Sequence, residues 1–452
     1  MKNLRTGHSL AAALTLSISA LISPAFGQEG SGRQLTFSFS QGVEFSDNPD
    51  LDVVADSGTT TITDLGVRLS SETRSQSLSL ELGAQLVGDF GRSSSDDFET
   101  ENVRAIFSYA REGANSGFDF SASYTETTLD DSIFLSGGTL IIDTGAVDAT
   151  RLSMGVELGR EGPFGVELDA LYFDRNYRNT SDPDLNDTET IEVDAIAHFR
   201  INPAYSVRAR AGISREDEND VDSSERETHY VGLGLEGETA GGLTYFGDII
   251  YDSTETTTSA PSMITEDGIG IELGLTQDRV NGSIGLDVSS RIDESGRRSS
   301  ASVNRAFDFP EGALSFSLGV VDQEGDDSLR VIGALDYTRE LAQGDLTASL
   351  VQDAATDSGT PYLNTTLALN FRQEINAVSS WEAGLEFAES NQLGGTDDDT
   401  RGVATVAYNR SLTEDWSMRT GLEHIRTTET GLPDRSSNTV FFNIQRDITF
   451  GF

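Results

Sequence analysis

The sequence predicts an all-β protein: a single transmembrane, antiparallel, up-and-down β-barrel of about 22 strands, with about 18–20 as the alternative count. Three observations carry this expectation. Segments of roughly ten to fourteen residues alternate apolar and polar side chains along most of the chain, which is the period of a strand with two unlike faces. Polar loops, often rich in Asp, and short turns separate these segments in rotation. The last strand ends on aromatics, with Val440, Phe442, Ile444, Ile448, Phe450 and Phe452 on one face and Arg446 as the break in the series.

Taken in order, the chain opens with the marks of an export signal. Lys2 and Arg5 are followed by an apolar run from Leu10 to Ile22 and a small-residue cleavage site at Ala25-Phe26-Gly27. The expectation is a signal peptide over residues 1–27 and a β-barrel over 28–452. The run is too short for a membrane helix, and no later run approaches that length. A chain that enters a membrane without such a helix does so as a closed barrel.

From Arg33 a hairpin unit recurs. The first is Arg33 to Phe45, a loop from Ser46 to Thr59, and a return from Thr60 to Glu72. Thr73-Arg74-Ser75-Gln76 is a short turn, and Gln76 to Phe90 rises with Leu78, Leu80, Leu82, Ala84 and Leu86 on one face. Further short turns are expected near residues 112–116, 161–163, 202–204, 239–242, 278–280, 310–312, 341–344, 376–379 and 411–414. Proline, which cannot donate to a ladder, respects this plan. Pro163, Pro203 and Pro310 fall in the short turns; Pro49, Pro183, Pro261, Pro361 and Pro433 fall in longer loops or at strand edges. Alternation begins within a few residues of the mature terminus, which leaves no room for a plug domain. A barrel this wide then needs loops to fill it, or a lower strand count, or a flattened section.

Barrels of this type place both termini and the short turns toward the periplasm. The outer loops then carry the Asp runs near 47–52, 96–97, 130–131, 217–222, 326–327 and 397–399, which solvate the rim or bridge through divalent cations to lipopolysaccharide. None has an ordered calcium-loop spacing. One loop differs. Between Leu129 and Gly145, the apolar runs Ile133-Phe134-Leu135 and Leu140-Ile141-Ile142 flank Gly137-Gly138, which reads as a small hairpin. It either folds inward to narrow the pore or extends its neighbouring strands.

Composition limits the function. The whole chain carries 31 basic and 75 acidic residues. Without Lys2 and Arg5 the balance is 29 − 75 = −46, and every remaining basic residue is Arg. Phosphate binding needs a basic surface, so no nucleic-acid partner is expected. There is no cysteine, hence no disulfide or thiolate metal site. His198, His229 and His424 are far apart and lack paired-ligand spacing. Neither an enzyme nor a cofactor is expected. The glycine-rich Gly232-Leu233-Gly234 and Gly268-Ile269-Gly270 sit on strands, where they ease packing or curvature.

Alternation names candidates for the barrel interior: Arg104, Glu167, Asp169, Glu192, Asp194, Arg208, Arg210, Arg330, Arg372, Glu382 and Arg419. Two readings stay open. The Arg forks either pair with carboxylates across strands and pin the register, or form a track that hands an anionic ligand along.

The early Phe45-Ser46-Asp47-Asn48-Pro49 and the hairpins running to a terminal Phe resemble a family of bacterial outer-membrane porins linked to exopolysaccharide export and biofilm loci. The ending Ile448, Phe450, Phe452 is similar to the signal that barrel-assembly machinery reads. The resemblance implies an outer-membrane channel, passive or export, for polysaccharide or other polar solutes, with outer-membrane lipids, lipopolysaccharide and the assembly machinery as partners. The alternative is a closed structural or surface-interaction barrel acting through its acidic loops.

Overall fold

The structure, a computed structural model, describes residues 32–90, 97–129, 134–136, 139–180, 182, 185–202, 204–220, 223–258, 263–326, 328–357, 360–395 and 398–451. The expected signal peptide, Phe452, the Gly137-Gly138 turn, Asp130, Asp131, Pro183, Pro203 and Pro261 lie outside them. The strands are β1 (Arg33–Ser46), β2 (Gly58–Thr73), β3 (Gln76–Phe90), β4 (Asp97–Glu112), β5 (Ser116–Thr128), β6 (Phe134–Ser136), β7 (Thr139–Ile141), β8 (Ala146–Leu158), β9 (Phe164–Arg178), β10 (Thr188–Asn202), β11 (Tyr205–Glu218) and β12 (Glu225–Glu238). They continue as β13 (Leu243–Thr257), β14 (Met263–Arg279), β15 (Gly282–Asp293), β16 (Gly296–Phe309), β17 (Gly312–Gln323), β18 (Arg330–Leu341), β19 (Gly344–Asp357), β20 (Thr360–Asn376), β21 (Ser379–Gln392), β22 (Asp398–Ser411), β23 (Trp416–Thr428) and β24 (Arg435–Gly451). All but β6 and β7 form one antiparallel sheet of 22 strands in chain order, and that sheet closes on itself through β1 and β24. The strand count and the short turns agree with the sequence expectation.

Closure follows from matched faces. Leu35 lies opposite Phe450, Phe37 opposite Ile448, Val43 opposite Phe442 and Gln41 opposite Ile444. The Phe37 and Phe450 rings meet edge to face at 6.2 Å. Phe39 faces Arg446, whose guanidinium lies over the Trp416 ring at 5.5 Å. The seam leaves no open edge, which is the condition for a sheet in lipid.

One face is apolar and exposed all round. Leu233, Ile249, Ile269 and Leu318 are each more than 60% exposed and all lie on it. Side chains of this kind gain nothing from water, so their solvent is lipid. The opposite face is polar. It looks inward, because Arg401 on that face of β22 reaches the carbonyl of Leu129 beyond β5. By the shorter way round the ring, β22 stands seven strands from β5, through β4, β3, β2, β1, β24 and β23.

The turns use the chemistry their backbone demands. Val280 and Asn281 join β14 to β15, and Gly282 follows at φ +122°. A Cβ there would collide with the backbone of Ala306, so only glycine serves. Two features differ from expectation. The outer links are not uniformly long, since two residues join β15 to β16 and two join β19 to β20. Several acids placed in outer loops stand instead on strands, among them Asp217 in β11 and Asp398 and Asp399 in β22. The strands outrun the apolar band, and beyond it both faces meet water, so a charged residue carries no penalty there.

Candidate functional site

Register puts all the interior candidates on the polar, inward face, but it gathers them into separate groups. The largest runs across β9 to β15. Arg208 grips Asp248 of β13 with two nitrogens, one at 2.8 Å, and also approaches Glu236 at 3.3 Å. Arg210 binds Glu272 at 2.8 Å and lies 3.5 Å from Asp248. Arg291 joins Glu272 to Asp252, both at 2.6 Å. At the other end, His198 stands between Glu236 at 2.9 Å and Glu167 at 3.5 Å. Asp194 accepts the Tyr230 hydroxyl, and Asp169 lies directly opposite Asp194, one pleat from Glu192.

The alternation explains the ladder. Inner positions on β11 carry Arg208 and Arg210; those on β13 carry Asp248, Ile250 and Asp252. Between them β12 offers Gly234 and Gly232 on the same face. With no side chain there, Asp248 lies flat against Gly234 and meets an Arg two strands away. Asp248 is thereby 2% exposed; Asp252, opposite Tyr230 and Gly268, is 1% exposed, and aromatic rings close the sides. Arg208 sits over Phe246 at 5.0 Å; Arg210 and Arg291 both sit over Tyr230 at 5.4 Å.

The remaining candidates lie elsewhere. Arg104, opposite Gly83, binds Asp64 at 3.1 Å and Glu81 at 3.3 Å, and Arg68 shares Glu81 at 2.5 Å. Arg372 faces Glu382 across the β20–β21 pair, and Arg419 lies 3.9 Å from Glu382 and over the Phe441 ring. Arg330 is at the outer rim with Asp326, 2.8 Å away. Among the described residues the ladder guanidiniums are bridged by carboxylates, so the geometry favours register pinning over an anion track. Sequence reasoning did not single out Asp248, Asp252, Glu236, Glu272, Arg291 or Tyr230. The period-two rule would have found them had it been carried through β12 to β15.

The loop between Leu129 and Gly145 resolves one of the open alternatives. Its strands β6 and β7 pair with each other as a separate sheet, not as extensions of β5 and β8. β7 packs on the inner wall at β21. Leu129, Ile141 and Val147 form a buried cluster with Tyr177 and Leu185, and Leu140 is also buried. The base is closed by Leu129 N–H donating to Gly145 O at 3.0 Å. Asp143 accepts the Asp182 N–H at 2.9 Å, so residues beyond β9 pack over it. This strap crosses the outer mouth. Its inward course has a plain cause: apolar side chains outside the lipid band bury against each other rather than face water.

A second inward device is smaller. At the β15–β16 tip, Glu294 pairs with Arg226 of β12, and Ser295 Oγ lies 3.2 Å from Thr356 Oγ1 of β19. No group of three or more His, Asp or Glu among the described residues is arranged to hold a metal.

No protein-family model matches the sequence, and no curated protein is similar to it. Solved structures are similar in fold. The FrpB iron transporter from Neisseria meningitidis (F3-3 variant) matches with TM-score 0.60 at 8% identity, over 93% of this chain and 82% of that one. The ferric-catecholate import receptor Fiu from E. coli K12 matches with TM-score 0.59 at 10% identity, over 93% and 82%. The siderophore receptor PirA from Pseudomonas aeruginosa matches with TM-score 0.52 at 12% identity, over 93% and 81%. At such identity the likeness is one of fold. Together with the closed sheet and its lipid-facing band, it makes the chain a β-barrel of the bacterial outer membrane.

Proposed function

We propose that the barrel is an outer-membrane channel for polar solutes, narrowed at its outer mouth by the strap and lined by the inward-facing candidates. The observation that carries this reading is the polar inner face, continuous around a closed ring, with a loop laid across its opening. The reading assigns passage, not catalysis. With 75 acidic residues against 31 basic, the channel prefers cations.

Polysaccharide belongs among the solutes proposed. Ser289 and Ser300 on the inner face share a hydrogen bond at 2.8 Å, and Ser302, Asn304 and Ser317 continue the same surface. Hydroxyls and amides can exchange hydrogen bonds with sugar hydroxyls without a charge to desolvate. The neighbours named for iron and siderophores share the fold at 8–12% identity, which supplies no ligand residue here.

The test is single-channel recording in planar bilayers, comparing the full chain with a deletion of residues 133–142. A small, cation-selective conductance that rises on deletion supports the channel. If neither protein conducts, the barrel is closed and structural, and binding through the acidic outer loops becomes the reading to pursue. Uptake of neutral oligosaccharides by vesicles separates sugars from smaller solutes.

A further inference from the structure

Inner-face side chains of a hollow barrel should meet water, yet a second patch of this wall, apart from the ladder, does not. Asn364 (β20), Ala388 and Ser390 (β21), Arg401 (β22) and Thr427 (β23) all point inward near the outer ends of their strands, and none is more than 4% exposed. Ala388 and Thr427 lie directly opposite Arg401 on its two neighbours. The patch is the footprint of something laid on the wall. β7 packs on β21, and Arg401 Nη1 donates to Leu129 O at 3.2 Å. Leu129 is also the residue whose N–H closes the base of the strap on Gly145.

We infer that Arg401 is a positioning residue that pins the strap across the outer mouth, and so sets how far the channel opens. The inference rests on the channel reading above. A guanidinium 1% exposed has given up its hydration, and the group that replaces that water includes a backbone carbonyl of the strap. The charge is costly to bury without such partners, so strap and side chain hold each other: if the strap lifts, the patch floods, and if Arg401 is lost, the strap loses its far anchor. The apolar cluster of Leu129, Ile141 and Val147 ties the strap to β8, and Arg401 reaches that cluster through Leu129.

The chain has no cysteine, so a single reporter thiol can be placed at Ile141, which is 8% exposed. The experiment uses the full barrel in lipid vesicles and measures labelling of Ile141→Cys by a membrane-impermeant maleimide. Labelling should be slow with Arg401 present and about tenfold faster or more in Arg401→Met. Single-channel conductance of Arg401→Met should also rise. Equal labelling rates would overturn the pinning role whatever the channel does. A silent deletion variant would instead overturn the channel and leave the labelling result standing. Should Arg401→Met lose the heat-dependent gel mobility shift of a folded barrel, Arg401→Gln decides: it is uncharged and shorter, and slow labelling in it overturns the inference as well.

Discussion

Removal of the Asp248 carboxylate should destabilise the barrel as a core mutation would, not as a surface one. The Asp248 side chain is fully buried, and its partners Arg208 and Arg210 are 13% and 6% exposed at the side chain. In Asp248→Ala both guanidiniums stay dry and lose their shared counter-charge. Breaking a buried pair from one side costs about 3–5 kcal/mol. Arg208 keeps Glu236 at 3.3 Å and Arg210 keeps Glu272 at 2.8 Å, which sets the expectation at the lower end, about 3 kcal/mol. The assay is urea unfolding of the barrel in lipid vesicles, followed by the fluorescence of Trp381 and Trp416, both on the lipid-facing side. A cycle with Arg208→Gln should return a coupling above about 1 kcal/mol, because the two side chains share two hydrogen bonds. An Asp248→Ala cost below about 1 kcal/mol is the value of a solvated pair. That result would mean that lumen water reaches the ladder and that it does not hold the wall.

Two further outcomes follow from particular contacts. Gly234→Ala places a Cβ on the Asp248 carboxylate and should cost about 1–3 kcal/mol by the same unfolding assay, falling in an Asp248→Ala background but not to zero, because the Cβ would still stand 2.8 Å from the backbone oxygen of Gly247. A full cost in that background would show that the glycine serves the backbone instead. Asp47, just past β1, accepts the backbone N–H of Asn438 at 2.7 Å and its side-chain amide at 2.8 Å, which hold its carboxyl below the usual aspartate range. A lowered folded value means that the contact stabilises above the ordinary aspartate pKa, about 4, and fades as pH falls through the depressed value. Hydrogen exchange at Asn438 should therefore quicken only in acid below about pH 4, and Asp47→Asn should remove that dependence.

The fold was legible because lipid makes every strand declare its two faces. Alternation located the ten short turns, set the count at about 22 and predicted the seam in which Leu35 and Phe37 lie against Phe450 and Ile448. Strand ends were less legible. Beyond the apolar band the pattern carries no constraint, so Asp217 and Asp398 read as loop but fold as strand. The interior was legible in direction and not in grouping. A period of two tells Asp248 from Ile249, but not that Gly234 lets Asp248 reach an Arg two strands off. Arg401 was invisible as anything special. Its alternation is ordinary, and its role comes from a strap rooted some 270 positions earlier in the chain.

A ring of 22 strands poses the difficulty that, left empty, it should leak. The structure meets it with devices rooted in the wall itself. The strap joins the β5–β8 side to β21 and β22, which leaves β23, β24 and β1 to β4 on one side of the crossing and β9 to β20 on the other. Within the larger arc the β15–β16 tip joins β12 to β19 through Glu294 and Ser295. Strand number therefore fixes the circumference, and these crossings divide the interior. The two arcs also differ in chemistry: the larger one holds the Arg and carboxylate ladder from β9 to β15, and the smaller one holds Ser38, Ser40 and the Arg104 cluster. Substitutions that free the strap should change conductance while leaving unfolding nearly untouched, and substitutions in the ladder should do the reverse, because the first act on a crossing and the second on the wall.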